Sequence, residues 1–169
     1  MPNRTGAVAK RGFDADLTVH GLDETLRAFN RYGKDASKEL RQAAGQIADE
    51  AVPALILAAG MAGPQAALVA PSIKRRSDRV PKIVAGGTTR ARPNTRSKRK
   101  VVAGDLLFGT EFGGGRRPAT TQFPEWVGKR GYWFWPTMRR ELPRLRKAYI
   151  EALERLAAKW AQGGDEAGG

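Results

Sequence analysis

Cysteine is absent from all 169 residues. That excludes disulfides, thiolate metal sites and cysteine nucleophiles, and it fits a reducing compartment. Histidine occurs once, at His20, so the side chain most used as general base or metal ligand is nearly missing. Acidic residues are scarce as well, with 17 against 30 basic ones and a formal charge of +13. The N-terminal stretch MPNRTGAVAKRGF is basic but has no apolar run of the kind a signal peptide needs. Residues 51–73 carry no charge and would be long enough to span a bilayer. Pro53, Gly60, Gly63, Pro64 and Pro71 interrupt them and alanine dominates, so they read as a buried helix end followed by a loop.

What is present is unevenly distributed. Residues 72–100 hold eleven basic side chains against a single acid, Asp78. Within them, Thr88 to Lys100 contains Arg90, Arg92, Arg96, Lys98, Arg99 and Lys100 and nothing aliphatic larger than alanine. Such a stretch cannot bury an apolar face and reads as a mobile hairpin tip or arm. Its cations suit phosphates in a salt-dependent, sequence-blind way, or equally an acidic protein surface. Eight of the thirteen aromatic residues and seven of the twenty glycines lie between Gly104 and Pro136. Large rings on a glycine-punctuated backbone predict a compact β-rich or looped unit that supplies core or interface.

Periodicity places the remaining elements. Phe13 to His20 alternates apolar and polar, the mark of a half-buried strand ended by Gly21. A short helix follows with Asp23 as its N-cap, and Gly33 stops it. Asp35 is placed to cap a longer helix whose stripe is Leu40, Ala44, Ile47, Ala51, Leu55 and Ala58, with Pro53 expected to bend or break it. Val80 to Ala85 and Val101 to Ala103 read as the two arms of a long hairpin carrying the basic tip. Tyr132 to Trp135 reads as a strand stopped by Pro136. Four consecutive rings on a strand must point to both faces, one of which then needs a second subunit to cover it. The C-terminal helix carries Leu142, Leu145, Tyr149, Leu153, Leu156 and Trp160, with Pro143 in its first turn and Gly163 at its end.

These readings amount to an α+β fold. A small antiparallel sheet is packed by a long helix from the N-terminal half and by a C-terminal amphipathic helix, with a long basic arm. One domain over residues 13–162 is expected, after a basic lead at 1–12 and before a disordered tail at 163–169. Catalysis is hard to place. His20 sits on the polar face of its strand, and Asp14, Asp16 and Glu24 gain no further fixed ligand nearby. The Gly113-Gly114-Gly115-Arg116-Arg117 loop lacks the Lys-Ser/Thr ending of a nucleotide loop. No enzyme, metal or cofactor is expected.

Taken in order, the segments resemble a known family. A strand enters Gly21-Leu22-Asp23-Glu24 and a helix, and a long alanine-rich helix follows. Then come Phe108-Gly-Thr-Glu-Phe-Gly113, the aromatic-proline turn Phe134-Trp135-Pro136-Thr137 and an amphipathic C-terminal helix. This order is similar to the tail-component, or tail-completion and neck, proteins of long-tailed double-stranded DNA bacteriophages, in the version found in phages of actinobacteria. The basic insert is longer than in compact members of that family. The resemblance implies a structural virion protein that assembles in the host cytoplasm into a homo-oligomeric ring at the head–tail junction or proximal tail. Its implied partners are the neighbouring adaptor, stopper or terminator and tail-tube proteins, with sequence-blind contact to packaged DNA and none to membrane. The arm, Arg90 to Lys100, is then a DNA or partner-docking element. Phe112, Arg116, Arg117, Trp126, Tyr132, Trp133, Phe134 and Trp135 are candidates for the subunit interface. The alternative reading is a freestanding, sequence-nonspecific nucleic-acid-binding protein.

Overall fold

A computed structural model describes residues 12–16, 22–91, 101–114 and 122–163. The chain is α+β. Strand β1 (Gly12–Asp16) leads to helices α1 (Leu22–Arg31), α2 (Lys34–Met61) and the short α3 (Pro64–Ala67). A 3-10 turn at Ala70–Ser72 precedes strands β2 (Lys74–Arg75) and β3 (Lys82–Gly86). Helix α4 (Ala103–Phe112), a second 3-10 turn at Gly128–Arg130 and the long helix α5 (Phe134–Gly163) complete it. The three strands form an antiparallel sheet in the order β1-β3-β2.

The strong periodic stripes became the core. Leu40, Ala44, Ile47, Ala51 and Leu55 of α2 are buried, as are Leu145, Tyr149 and Leu153 of α5. The two helices run antiparallel: Glu39 meets Lys159 and Trp160, while Glu50 meets Arg144. The alanines of α2 remove side-chain bulk, so a partner helix can come close and still bury its larger residues. Pro53 does not break α2, which continues to Met61. The proline withholds a hydrogen bond from the Asp49 carbonyl, and packing along the buried face carries the helix past it.

Other contacts tie the sheet and loops to this pair. Phe13 lies opposite Ala85 in the β1–β3 register, and both are buried with Ile83. The Ser72 hydroxyl donates to the Val69 carbonyl at 2.6 Å and accepts from the Gly86 amide at 2.7 Å, joining the 3-10 turn to the end of β3. The Tyr149 hydroxyl donates to the Arg79 carbonyl at 2.6 Å, which pins the β2–β3 loop to α5. Burial drives the Tyr149 phenol well above its usual pKa, so it remains a donor.

Several local expectations need correction. Residues 103–112 are helical, not β-rich: Asp105 accepts from the Val102 amide at 3.3 Å and so caps the start of α4. Tyr132 to Trp135 is not a strand; its last two residues are the first two of α5. Pro136 therefore starts a helix instead of stopping a strand, because a first-turn proline lacks only an N–H that would have no intrahelical partner. Pro143 lies inside that helix, not at its start. Leu22 and Lys34 open α1 and α2, two residues earlier than the Asp23 and Asp35 caps imply, and Gly33 holds the cap position of α2 without a side-chain bond. Strand β3 pairs with β1 and β2 and not with residues 101–103. Of the expected hairpin, the described residues show an antiparallel bridge between Arg90 and Val102. The expected strand positions 17–20, the lead at 1–11, the arm at 92–100, residues 115–121 and the tail at 164–169 lie outside the described residues.

Candidate functional site: a carboxylate clasp and an aromatic surface

The Phe108 to Gly113 signature ends α4, and Glu111 within it is fully buried. Its Oε2 accepts hydrogen bonds from the amides of Trp133 at 3.1 Å and Phe134 at 2.7 Å, and its Oε1 from that of Trp135 at 2.9 Å. The Glu111 carbonyl also accepts from the Tyr132 amide at 2.8 Å. Those amides belong to the start of α5, where N–H groups have no carbonyl of their own helix to bond. Pro136, next in line, has no N–H to satisfy. One carboxylate from a distant helix thus caps α5 and holds the aromatic-proline turn against α4.

Burial pushes the Glu111 carboxyl above its ordinary pKa; the three backbone donors and the Arg139 charge pull the other way. The turn fits because its glycines leave room. Gly131 adopts a positive φ of 73°, and a Cβ there would overlap Glu111 Oε1. Gly113 has a φ of 88°, and a Cβ on it would overlap the Glu125 carbonyl. The Phe123 ring lies against Gly109, 2.7 Å from where a Cβ would stand. The signature is thus a structural clasp whose glycines permit backbone and ring approach.

Around the clasp, rings form a graded cluster. Phe13 is its hub, with centroids 5.0 Å from Phe108, 5.6 Å from Phe112, 5.2 Å from Phe134 and 5.6 Å from Trp135. Phe112 continues it to Trp126 at 6.0 Å. Burial falls along this chain of rings. Phe134 is completely buried, Phe112 and Trp135 are partly so, and Phe108 and Trp126 are 51% and 64% exposed. Tyr132 is also exposed, with its hydroxyl donating to the Glu125 carbonyl at 2.8 Å. Lys129 and Arg130 are exposed just beyond Trp126 in the chain.

The sequence-derived interface set therefore divides. Phe112, Trp126, Tyr132 and Trp135 reach the surface, whereas Trp133 and Phe134 are buried in this chain's own core and present nothing to a neighbour. A helix start, unlike a strand, does not send alternate rings to opposite faces, which is why these two turned inward. The predicted interface set omits Phe108, Phe13 and Glu111. Phe108 and Phe112 stand four apart, and reading 103–112 as helical would have paired them.

Arg90 is exposed at the bridge to Val102. The Ala91 amide bonds the Val101 carbonyl at 3.1 Å and the Ala103 amide bonds the Thr89 carbonyl at 2.7 Å. Ala91 and Val101, the described residues on either side of 92–100, are thus held together. Arg92, Arg96, Lys98, Arg99, Lys100, Arg116 and Arg117 lie outside the described residues. Among the described residues no group of acidic or histidine side chains is arranged to hold a metal ion, and no helix is long and apolar enough to cross a membrane.

Comparison with protein-family models, curated proteins and solved structures finds no match to this chain.

Proposed function

We propose that the protein is a non-catalytic structural subunit of a tailed-phage virion, a ring-forming connector or tail-completion protein at the head–tail junction. The observation that carries this reading is the exposed end of the aromatic cluster. Phe108, Trp126 and Tyr132 stand on the surface around the half-buried Phe112. Exposed rings gathered in one place are the usual composition of a protein contact, because each removes a large apolar area from water on association. Phe108 and Phe112 stand on α4, which the Glu111 clasp ties to the start of α5, so little order is lost when they meet a neighbour. The basic segment 92–100, tethered at both ends by the Arg90–Val102 bridge, is the candidate element for reaching an adjacent ring or the packaged DNA.

The reading is tested by mixing the protein with its neighbouring neck and tail proteins and following assembly by sedimentation and electron microscopy. Rings should form with the wild type, and Trp126→Ala combined with Phe108→Ala should abolish them while the monomer stays folded. Ring formation indifferent to both substitutions, or a protein that stays monomeric among its neighbours, would sink the proposal. Lys129 and Arg130, exposed three and four residues after the exposed Trp126, favour a second reading, a freestanding nucleic-acid-binding protein, since exposed rings and cations suit stacked bases and phosphates. Tight DNA binding by the isolated chain at physiological salt, lost in Trp126→Ala, would select it.

A further inference from the structure

We infer that the outer face of α5 is a docking seat for an acidic amphipathic helix of a partner protein. This inference does not rest on the connector reading and concerns a different set of residues.

The core side of α5 is spent on Leu145, Tyr149 and Leu153, which are buried. On another side, Arg139, Leu142, Pro143, Arg146, Lys147 and Ile150 line an open groove of about 520 Å³. Their spacings of three and four put them on one stripe of the helix. A helix face turned to solvent is normally polar throughout. Here Ile150 is 37% exposed and Pro143 is exposed, while Leu142 is half-buried at their side. An aliphatic floor between long charged side chains matches the way a groove receives the apolar stripe of a second helix.

The sign of the rim selects the occupant. Three cations, Arg139, Arg146 and Lys147, face a single acid of the groove, Glu151. Lys147 stands 4.0 Å from Glu151, and Arg139 donates to the Arg130 carbonyl, a neutral acceptor, while its charge also acts on the buried Glu111 carboxyl. Arg146 also has a partner within the chain. The rim therefore keeps positive charge that an acidic helix complements. A second copy of this face would bring cations against cations in a chain already at +13. Nucleic acid fits less well, because the floor is aliphatic and has no ring on which a base could stack.

The experiment uses the full chain and a synthetic peptide of about 18 residues, long enough to form a helix when bound. The peptide has leucine along one face and glutamate elsewhere. Comparators are the same peptide with lysine for glutamate and a single-stranded oligonucleotide of about 20 nucleotides, roughly the span of one or two binding sites. Calorimetric titration should give one acidic peptide per chain. Ile150→Glu and Lys147→Glu should each weaken it about tenfold with unchanged circular dichroism. Lys38→Glu, an equal charge reversal at an exposed position on α2, should change it less than about twofold. Three results would overturn the inference: equal weakening by Lys38→Glu, equal binding of the lysine peptide, or an oligonucleotide that displaces the acidic peptide while Ile150→Glu has no effect. None of them bears on ring formation, so the two proposals fail separately.

Discussion

Along α2 and α5, burial is spread over many modest contacts. Ala44, Ala48, Ala51, Leu55, Leu145 and Ala152 each contribute a little, and exposed pairs such as Lys159–Glu39 and Arg144–Glu50 sit at the rim. Between Ala103 and Pro136 the arrangement is concentrated. Three backbone donors converge on one buried carboxylate, and glycines allow backbone and ring to touch where any side chain would intrude. The first region should tolerate change piecemeal. The second should fail at single points, because a buried donor that loses its acceptor costs far more than a methyl group lost from a relaxed core.

The sharpest way to break this contrast is Glu111→Ala. It leaves the amides of Trp133, Phe134 and Trp135 without their acceptor, and urea unfolding should show a loss of about 4 kcal/mol. A loss below about 1 kcal/mol would mean that water or a local shift replaces the clasp. Gly113→Ala comes next, at about 3 kcal/mol, since the new Cβ both meets the Glu125 carbonyl and forces a positive φ on alanine.

A pH series sharpens the comparison further. Because burial raises the Glu111 pKa in the folded chain, the folded state holds a proton that the unfolded state has released. The contribution of Glu111 is fully present below the unfolded glutamate pKa and is lost as pH rises through the raised folded value. Wild-type stability, measured against Glu111→Gln, should therefore decline with rising pH in that window; an increase would show that the backbone donors outweigh burial.

In the distributed region the sign reverses. Gly60 lies in α2 with nothing near the place a Cβ would occupy, so Gly60→Ala should raise stability by about 0.7 kcal/mol, readable as a higher thermal midpoint. The smallest effect is expected for Trp126→Ala, at under about 0.5 kcal/mol, since its ring is mostly exposed. A larger loss would place Trp126 in the fold and not at an interface.

How legible each part was follows from the same contrast. The apolar stripes of α2 and α5 could be read directly because a helix repeats every 3.6 residues, and a long stripe repeats the signal many times. Strand β1 began where the alternation from Phe13 begins, within one residue. The stretch from Gly104 to Pro136 misled because composition was read in place of periodicity. Glycines and rings suggest turns and strands, yet Leu106, Leu107 and Thr110 are buried along a helix, and Gly104 and Gly109 are tolerated inside it. Reading Tyr132 to Trp135 as a two-faced strand likewise predicts Trp133 and Phe134 at an interface, where the structure buries them.

Residue order alone therefore determined the two long helices, their buried faces, the uneven charge and the absence of any cysteine chemistry. Those are local or additive properties, set by spacing along the chain. Only the tertiary structure decided that Glu111 is the cap of α5 and that Phe13 is the hub of the ring cluster. It also decided which aromatics turn inward and which remain on the surface. Each of these depends on groups far apart in sequence meeting in a water-poor interior, where an unpaired donor is costly enough to dictate its partner.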